Sequence, residues 1–173
     1  MIEELTTPII TGTTVISHVV FVLFLFLYVT NADFKEGTQK VVKRYIDEII
    51  FIFSFVALAG SLVYSNIIGF PPCDLCWVQR IFIYPQVAIA CVSAWRKEKL
   101  AVYYAFPLSV LGSIVALYHS YVLWGGGSIL PCTAEGGACS KIYVMEYGYI
   151  TIPVMALTVF IYLLTATYIY KRS

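Results

Sequence analysis

Residues 49–80 read IIFIFSFVALAGSLVYSNIIGFPPCDLCWVQR, and this stretch combines a long apolar run with a pair of cysteines. The first 22 residues of it, Ile49 to Phe70, contain no Lys, Arg, Asp or Glu. A helix that crosses the roughly 30 Å hydrocarbon core of a bilayer needs about 20 such residues at about 1.5 Å each. The stretch therefore predicts a transmembrane helix that is followed directly by Cys73 and Cys76.

Further apolar runs lie on both sides of this stretch, and most of them are also long enough to cross a membrane. Only 12% of the chain is charged, whereas a soluble domain carries roughly 25% charged residues, so the chain lacks the polar surface to face water on all sides. We predict an all-α integral membrane protein with five spans and no separate soluble domain. The other four runs are Ile9 to Thr30, Ile81 to Trp95 (18 residues if it begins at Val78), Leu100 to Tyr121 and Tyr149 to Tyr170.

The basic residues indicate the orientation of these spans. With five spans, nine of the eleven basic residues fall on one side of the membrane. Short cytoplasmic loops carry an excess of Lys and Arg, so we predict a cytoplasmic C-terminus and an N-terminus outside, in the cell (inner) membrane. The nine are Lys35, Lys40, Lys43, Arg44, Arg96, Lys97, Lys99, Lys171 and Arg172, and the other two are Arg80 and Lys141.

The first span has a competing interpretation as a cleaved signal peptide, with Ala32 as the small residue at the cut. Its opening residues, MIEEL, are acidic where a signal peptide is basic, and its apolar run is too long. Cleavage would also leave the basic segment that follows on the outside. We therefore predict a retained helix, in which His18 is a packing residue and not a ligand.

Four of the five cysteines share the predicted outer side. Cys73 and Cys76 follow the second span, and Cys132 and Cys139 lie in the longest loop, from about residue 122 to residue 148. Disulfides form and persist in the compartments outside the cytoplasm. Cys91 stands alone in the third span, where a thiol usually behaves as a small hydrophobe.

The Cys-x-x-Cys pair is compatible with a redox centre, half of a metal site or a structural disulfide. Pro71 and Pro72 end the preceding helix, so the pair is predicted to open the third span, where the helix dipole favours thiolates. Arg80 lies four residues after Cys76, so it shares that residue's helix face and its charge would favour the thiolate further. An arginine that merely extends towards the membrane surface is the structural alternative.

The second pair encloses six residues, two of them glycines, in a glycine-rich loop. Such a disulfide is either a labile bridge within reach of an incoming thiolate or a structural one. Two pairs together suggest a relay, which must end in an acceptor that is not a thiol. The sequence has no haem-attachment or nucleotide-binding motif, so a membrane quinone is the natural acceptor. A zinc site built from the four cysteines is the competing chemistry; we expect no metal.

Three ordered motifs resemble those of the disulfide bond formation protein B (DsbB) family. The match runs from about Ile49 to the C-terminus. The first motif is Pro-Cys73-Asp-Leu-Cys76-Trp-Val-Gln-Arg80, followed by Tyr84-Pro85; the second is Leu117-Tyr118-His119; the third is Glu146-Tyr-Gly-Tyr-Ile150-Thr-Ile-Pro153.

The resemblance implies a four-helix DsbB-like bundle over residues 49–173, preceded by an extra N-terminal transmembrane helix and cytoplasmic loop over residues 1–48. It also implies an enzyme that reoxidises a thioredoxin-fold, DsbA-like thiol oxidase and passes the electrons to a membrane quinone, ubiquinone or menaquinone. Nothing in the sequence indicates a nucleic-acid partner. The extra span lies outside the family pattern.

The resemblance further implies the role of each cysteine. The partner's thiolate attacks the Cys132–Cys139 bridge and forms a mixed disulfide with Cys132. Cys139 then exchanges with Cys73, and Cys76 hands the electrons to the quinone beside Arg80.

His119 is a further candidate for the quinone pocket, although an interfacial core histidine is equally compatible with its position. Residues 140–147 are expected to lie flat on the membrane. A membrane protein whose cysteines are purely structural, and one that depends on zinc, remain the alternative functions at this point.

Overall fold

The computed structural model describes residues 2–127 and 139–172, and it consists of long helices joined by short connections. Within these ranges five helices are long and apolar enough to cross a membrane. The predicted all-α, multi-span fold is therefore confirmed. The helices are α1 (Ile2–Thr30), α2 (Ala32–Leu62), α3 (Asp74–Arg96), α4 (Ala101–Leu123) and α5 (Ile152–Arg172).

The last four helices form a bundle in which each packs against its neighbours. Helix α2 contacts α3, α3 contacts α4, α4 contacts α5, and α5 returns to α2, whereas α1 packs on α2 at the outside. Small residues on α3 and α4 allow close packing between helices, as is usual in membranes. The centre of the core is formed by Ile46, Ile50, Ala90, Ala105, Phe160 and Leu163.

Gly112 of α4 lies against the Phe160 ring of α5. A Cβ atom added to Gly112 would lie 2.3 Å from the Phe160 ring, and Phe160 is buried. No larger residue fits this position without displacing the ring, because packed interiors have no spare volume. The glycine therefore allows the Phe160 ring to pack directly against the backbone of α4.

Helix α1 is attached to the bundle by polar side chains. The Ser17 hydroxyl lies 2.9 Å from the Tyr162 hydroxyl, and the two ring nitrogens of His18 lie 2.7 Å from Thr158 Oγ1 and 3.2 Å from Tyr149 Oη. Lipid tails are as apolar as Leu, so hydrogen bonds of this kind help to hold helices together in a bilayer. The opposite face of α1 exposes large apolar residues, as a lipid-facing surface does.

The segment 31–48, which we treated as a cytoplasmic loop, is helical almost throughout. Helix α2 begins directly after α1, and the Asn31 side chain caps it by accepting a hydrogen bond from the Phe34 amide. The charges that suggested a loop lie on a helix surface, where Glu36 and Lys40 form a 2.8 Å ion pair. A kink at Tyr45 (φ −114°, ψ 22°) separates this charged part from the apolar run.

At the end of the bundle remote from Cys73, a buried carboxylate joins α2 to the α3–α4 turn. Asp47 accepts a 2.9 Å hydrogen bond from Ser93 Oγ, and its other oxygen lies 3.1 Å from Lys99 Nζ. Ser93 Oγ in turn accepts from the Ala101 amide at the start of α4. A carboxylate is tolerated in this buried position because Lys99 pairs with its charge and the Ser93 hydroxyl donates to one of its oxygens.

At the cysteine end the chain changes direction between α2 and α3. A π-helical turn, Val63–Ile67, follows α2, and Gly69 adopts a positive φ of 89° that suits glycine. Two prolines then prevent the helix from continuing. Helix α3 starts at Asp74, so the cysteine pair opens the third span as predicted.

Candidate redox site

The site is organised around Cys73, which is the N-cap residue of α3. Its backbone is extended (φ −75°, ψ 170°), and its sulfur accepts a 3.4 Å hydrogen bond from the Cys76 amide. The first amides of a helix have no partner within the helix, so an N-cap side chain that accepts from them is stabilised. A thiolate sulfur is a better acceptor here than a thiol.

Cys73 and Cys76 are one helical turn apart and both carry free thiols. Their sulfur atoms lie 2.9 Å from each other, so one thiol can donate to the other. The residue Cys73 is only 3% exposed, whereas the residue Cys76 is partly exposed. Cys73 is therefore the more shielded residue of the pair.

His119 of the neighbouring helix α4 contacts this pair. Its Nε2 lies 3.6 Å from Cys73 Sγ, and its Nδ1 lies 3.0 Å from the Gln79 side-chain nitrogen. When the Gln79 amide donates to Nδ1, the ring proton resides on Nε2 and points at Cys73. His119 and Gln79 are buried (4% and 7% exposed), so this orientation is protected from water.

These donors act on the same sulfur and lower the pKa of the Cys73 thiol well below its usual range. The hydrogen bond from the Cys76 thiol is the largest cause; burial opposes it, and His119 and the Cys76 amide add to it. From the helix dipole we expected thiolates to be favoured at both cysteines, and from Arg80 we expected a further preference for Cys76. The structure instead favours the thiolate on Cys73, because the N-cap sulfur, not the one inside the first turn, receives the donors.

Arg80 lies on the same helix as Cys76, but its described hydrogen bonds go to α2. Its Nε donates to Ser61 Oγ at 2.9 Å and its terminal nitrogen donates to the Ser61 carbonyl at 3.2 Å. The guanidinium carbon also lies 4.9 Å from the centre of the Trp77 ring, which is 54% exposed. Arg80 therefore joins α2 to α3 and stacks on an accessible aromatic ring beside Cys76.

A small cavity of about 30 Å³ lies against the two sulfur atoms and His119. It is closed on the other side by residues that precede and begin α5, among them Val144 and Pro153. Such a volume holds about one water molecule. It is too small for the ring of an aromatic or quinonoid compound.

Of the second pair of cysteines, the structure describes only Cys139. Cys139 is buried and disulfide-bonded, and it belongs to the same buried cluster as Cys73, together with Leu75 and Val122. Cys132, the predicted partner of Cys139 and the predicted entry point for electrons, lies outside the described residues. The structure thus brings Cys139 into the neighbourhood of the Cys-x-x-Cys pair.

Cys91 is remote from this cluster and lies on the exposed surface of α3. A position facing lipid is compatible with the small apolar thiol that we predicted from its place in the span.

Two residues of the site, Gln79 and Ser61, were not predicted from the sequence. Gln79 immediately precedes Arg80, and the only signal was a polar amide in a predicted span. Ser61 had no signal of its own, because a serine in a transmembrane helix ordinarily bonds to its own backbone.

The fold and the site define a class of protein: a multi-pass membrane protein in which a dithiol and a disulfide-bonded cysteine share one buried cluster, as thiol–disulfide exchange requires. Comparison with known families gives the particular one. Residues 43–170 match the family model described as disulfide bond formation protein DsbB, and the chain belongs to this family. Membership implies disulfide oxidoreductase activity.

Curated relatives carry names of the same kind. The chain is 36% identical over 125 residues to "Probable disulfide formation protein C 1" of Bacillus anthracis. This aligned region covers 69% of this chain and 87% of that protein. It is 37% identical over 108 residues to the SPbeta prophage-derived disulfide bond formation protein B of Bacillus subtilis (62% and 73% covered). It is 36% identical over 112 residues to the disulfide bond formation protein C of the same organism (64% and 80%). No solved structure matches.

Proposed function

We propose that this protein reoxidises a thioredoxin-fold, DsbA-like thiol oxidase on the outer side of the membrane and passes the electrons to a membrane quinone. The observation that carries the proposal is the Cys73–Cys76 dithiol, with its sulfur atoms 2.9 Å apart and with Cys139 in the same cluster as Cys73. A dithiol and a disulfide-bonded cysteine within one cluster can exchange electrons two at a time without a soluble carrier.

The first exchange takes electrons from the partner. The partner's thiolate attacks Cys132, which breaks the Cys132–Cys139 bond and releases the Cys139 thiolate. The partner's second thiol then resolves the mixed disulfide, so that the partner leaves oxidised and the Cys132–Cys139 pair is reduced. Cys132 is the proposed entry point by analogy with the family.

The second exchange transfers these two electrons to the Cys73–Cys76 pair. The Cys139 thiolate attacks Cys73 of an oxidised Cys73–Cys76 bridge, and Cys132 then closes the bond to Cys139. The dithiol that this exchange produces is the form of Cys73 and Cys76 described above. The common cluster of Cys139 and Cys73 supports this order, because thiol exchange requires contact between sulfur atoms.

The last transfer oxidises the dithiol back to a disulfide, and the quinone, a substrate here, takes up two electrons and two protons. Cys76 is the partly exposed residue of the pair, so we propose it as the one that a quinone ring approaches. The cavity of about 30 Å³ excludes the ring from the inner side of the pair. We propose that the ring binds instead at the exposed Trp77 face of α3, where the Arg80 guanidinium supplies a hydrogen-bond donor and a positive charge.

The proposed orientation has the N-terminus and both cysteine pairs outside and the C-terminus in the cytoplasm. It rests on the nine-to-two division of the basic residues. Two alternative functions receive less support: a membrane protein whose cysteines are purely structural and one that depends on zinc. The two free thiols lie only 2.9 Å apart, so they can form a bond with each other.

The test is reoxidation of a reduced thioredoxin-fold oxidase by the full chain in lipid nanodiscs, with added quinone as the acceptor. We expect catalytic turnover that stops when Cys73 or Cys76 is replaced by Ser and continues when Cys91 is replaced by Ser. Cys91 is the matched control because it is the free cysteine outside the cluster. Reoxidation without consumption of quinone would exclude the proposed acceptor, and equal loss in Cys91→Ser would exclude the assigned pair.

A further inference from the structure

The two thiols of the redox pair and the His119 ring form a constellation that thiol exchange alone does not require. Cys73 Sγ, Cys76 Sγ and a ring nitrogen of His119 all lie within 4.8 Å of one another. Cys73 and His119 are buried, and each of the three residues offers one soft or borderline ligand atom. We propose that the reduced pair and His119 form a zinc site, so that Zn²⁺ binds the reduced protein and blocks its reoxidation.

The geometry is close to that of tetrahedral zinc. Zn–S bonds of about 2.3 Å and Zn–N bonds of about 2.0 Å place sulfur and nitrogen ligands roughly 3.5 Å apart and two sulfurs roughly 3.8 Å apart. The distance between Cys73 Sγ and His119 Nε2 is 3.6 Å, so this edge needs no adjustment. The two sulfurs, now 2.9 Å apart, separate by roughly 0.9 Å, a side-chain rotation of Cys76 on the first turn of α3.

The fourth ligand is a water molecule, for which the adjoining cavity has room. Its volume of about 30 Å³ corresponds to one water, and it opens directly onto the two sulfurs and His119. Lys141 also lines this cavity. Two thiolates neutralise the charge of Zn²⁺, so the lysine meets no net positive charge at the occupied site.

Gln79 provides the outer shell that such a site requires. Zinc needs the Nε2 lone pair, so the ring proton must move to Nδ1 when the metal binds. Gln79 lies 3.0 Å from Nδ1, and its amide accepts that proton's hydrogen bond after a half-turn about its last torsion. Partners of this kind fix the orientation of a ligating histidine, and their loss typically weakens metal binding 10–100-fold.

The chemistry involves no change of oxidation state. Zinc replaces the thiol protons, which are released to solvent, and forms two Zn–S bonds. The disulfide form has no thiolate to offer, so only the reduced protein binds. While zinc holds both sulfurs, no bond can form between them, and under the proposed function the electrons remain on the dithiol. That inhibitory consequence rests on the proposed function, whereas the binding itself does not.

The experiment measures binding without partner or quinone, so that it is independent of the proposed function. Full-length protein carrying Cys91→Ser, Cys132→Ser and Cys139→Ser retains only the Cys73–Cys76 pair. In detergent, after reduction, we expect one Zn²⁺ per chain in competition with a chromogenic chelator. We also expect Co²⁺ to give the thiolate charge-transfer and tetrahedral absorption bands. Oxidation of the pair should abolish both signals.

Variants at the third ligand make the result specific. His119→Phe should weaken zinc binding at least tenfold, His119→Cys should restore it by supplying a third thiolate, and Gln79→Leu should weaken it 10–100-fold. His18→Leu is the matched control, because His18 is the other histidine of the chain and hydrogen-bonds to Thr158 instead. Circular dichroism of each oxidised variant checks that the bundle is intact.

Equal zinc affinity in the unmodified site and in His119→Phe would overturn the proposal, since the dithiol alone would then account for binding. So would zinc that remains bound after oxidation. In the wild-type protein, turnover that zinc stops and a chelator restores is the expected functional consequence. If the protein binds zinc as described but shows no quinone-dependent turnover, the zinc site stands and the proposed function fails.

Discussion

His119 and Gln79 are joined by a buried contact of 3.0 Å between the ring Nδ1 and the amide nitrogen, two side chains from different helices. This contact decides which ring nitrogen carries the proton, because a neutral imidazole has one donor and one acceptor. The Gln79 amide on α3 thus determines whether the His119 nitrogen that faces Cys73 Sγ carries a proton. Gln79 is a positioning residue, and its effect on chemistry passes through His119.

The first prediction concerns the acidity of Cys73 in reduced, metal-free protein. Hydrogen bonds that favour the thiolate lower the pKa of this thiol, so the thiolate persists as the pH falls below the ordinary thiol value of about 8.5. His119→Ala removes one donor and should move the titration of Cys73 to higher pH. The measurement is the ultraviolet absorbance of the thiolate against pH, with Cys73→Ser subtracted.

Gln79→Leu should shift the same titration in the same direction, by less than His119→Ala does, since the ring remains but is no longer held. Gln86→Leu serves as the control, because Gln86 is a buried amide on the same helix that bonds to Phe82 and Ser109 and not to His119. If His119→Ala leaves the titration unchanged, the histidine packs against Cys73 without acting on its proton.

The second prediction separates the two contacts of Arg80. Arg80→Met removes both the charge beside Trp77 and the hydrogen bonds to Ser61. Under the proposed function it should weaken the use of quinone by tenfold or more, with little effect on exchange between the partner and the outer disulfide. Arg80→Lys should fall between, because it keeps the charge but loses the planar fork. The measurements are quinone reduction over a quinone titration and stopped-flow exchange without quinone.

Ser61→Ala is the matched control for this experiment. It removes the hydroxyl that Arg80 Nε contacts at 2.9 Å but leaves the charge and the Ser61 carbonyl in place. If Ser61→Ala reproduces the whole effect of Arg80→Met, the arginine acts by holding α2 against α3. If neither change affects the quinone titration, the proposed role of Arg80 is wrong.

The fold could be predicted from the sequence because each transmembrane helix is recognisable from its own residues alone. A run of 22 residues without a charge, such as Ile49 to Phe70, has few alternatives to a membrane helix. The segment 31–48 was harder, since charges on a helix surface and charges in a loop look alike without knowledge of what they face. The capping contact between Asn31 and Phe34 is local, but it became visible only in the structure.

The site was predictable to the extent that its residues are close in sequence. The spacing of Cys73 and Cys76 and the two prolines before them indicate an N-terminal dithiol. The contact of Gln79 with His119 joins residues 40 positions apart, and that of Arg80 with Ser61 joins residues 19 positions apart. Helical periodicity relates residues three or four positions apart, so it does not reveal such contacts between helices.

The third prediction concerns the extra helix α1. His18→Leu removes the hydrogen bonds to Thr158 and Tyr149 that attach α1 to the rest of the bundle. Hydrogen bonds between membrane helices contribute roughly 0.6 kcal/mol on average, up to about 2, so we expect a loss of about 1 kcal/mol in unfolding free energy. Ile16→Leu, at a position 65% exposed, is the control and should change little. Reversible unfolding in mixed micelles gives the measurement, and equal stability of both variants would show that α1 is held by other contacts.

The fourth prediction concerns orientation. Lys97 adopts a left-handed conformation (φ 57°) in the turn after α3, at the end of the bundle remote from the cysteine pair. In a background without other cysteines, Lys97→Cys should react with a membrane-impermeant thiol reagent only after the membrane is opened. Tyr147→Cys, at an exposed position that follows Cys139 in the chain and is predicted to lie outside, should react with the same reagent in intact cells. The reverse labelling pattern would refute the orientation and, with it, the oxidising environment that the relay needs.

The last prediction tests the order of exchange between the two pairs. Cys139 shares a buried cluster with Cys73, so its replacement by Ser should interrupt the relay at that point. Cys132 would then be a free thiol, and with oxidised partner it should accumulate as a mixed disulfide, because Cys139 is no longer present to close the bond to Cys132 and release the partner. Cys91→Ser retains Cys139, so it should accumulate no such adduct; Cys91 is a free, exposed cysteine of α3. The adduct is detected as a band of higher mass on non-reducing gels that disappears on reduction, and peptide mapping should assign it to Cys132. Full turnover in Cys132→Ser or Cys139→Ser would show that the partner reduces the Cys73–Cys76 pair directly, and a one-pair mechanism would replace the relay.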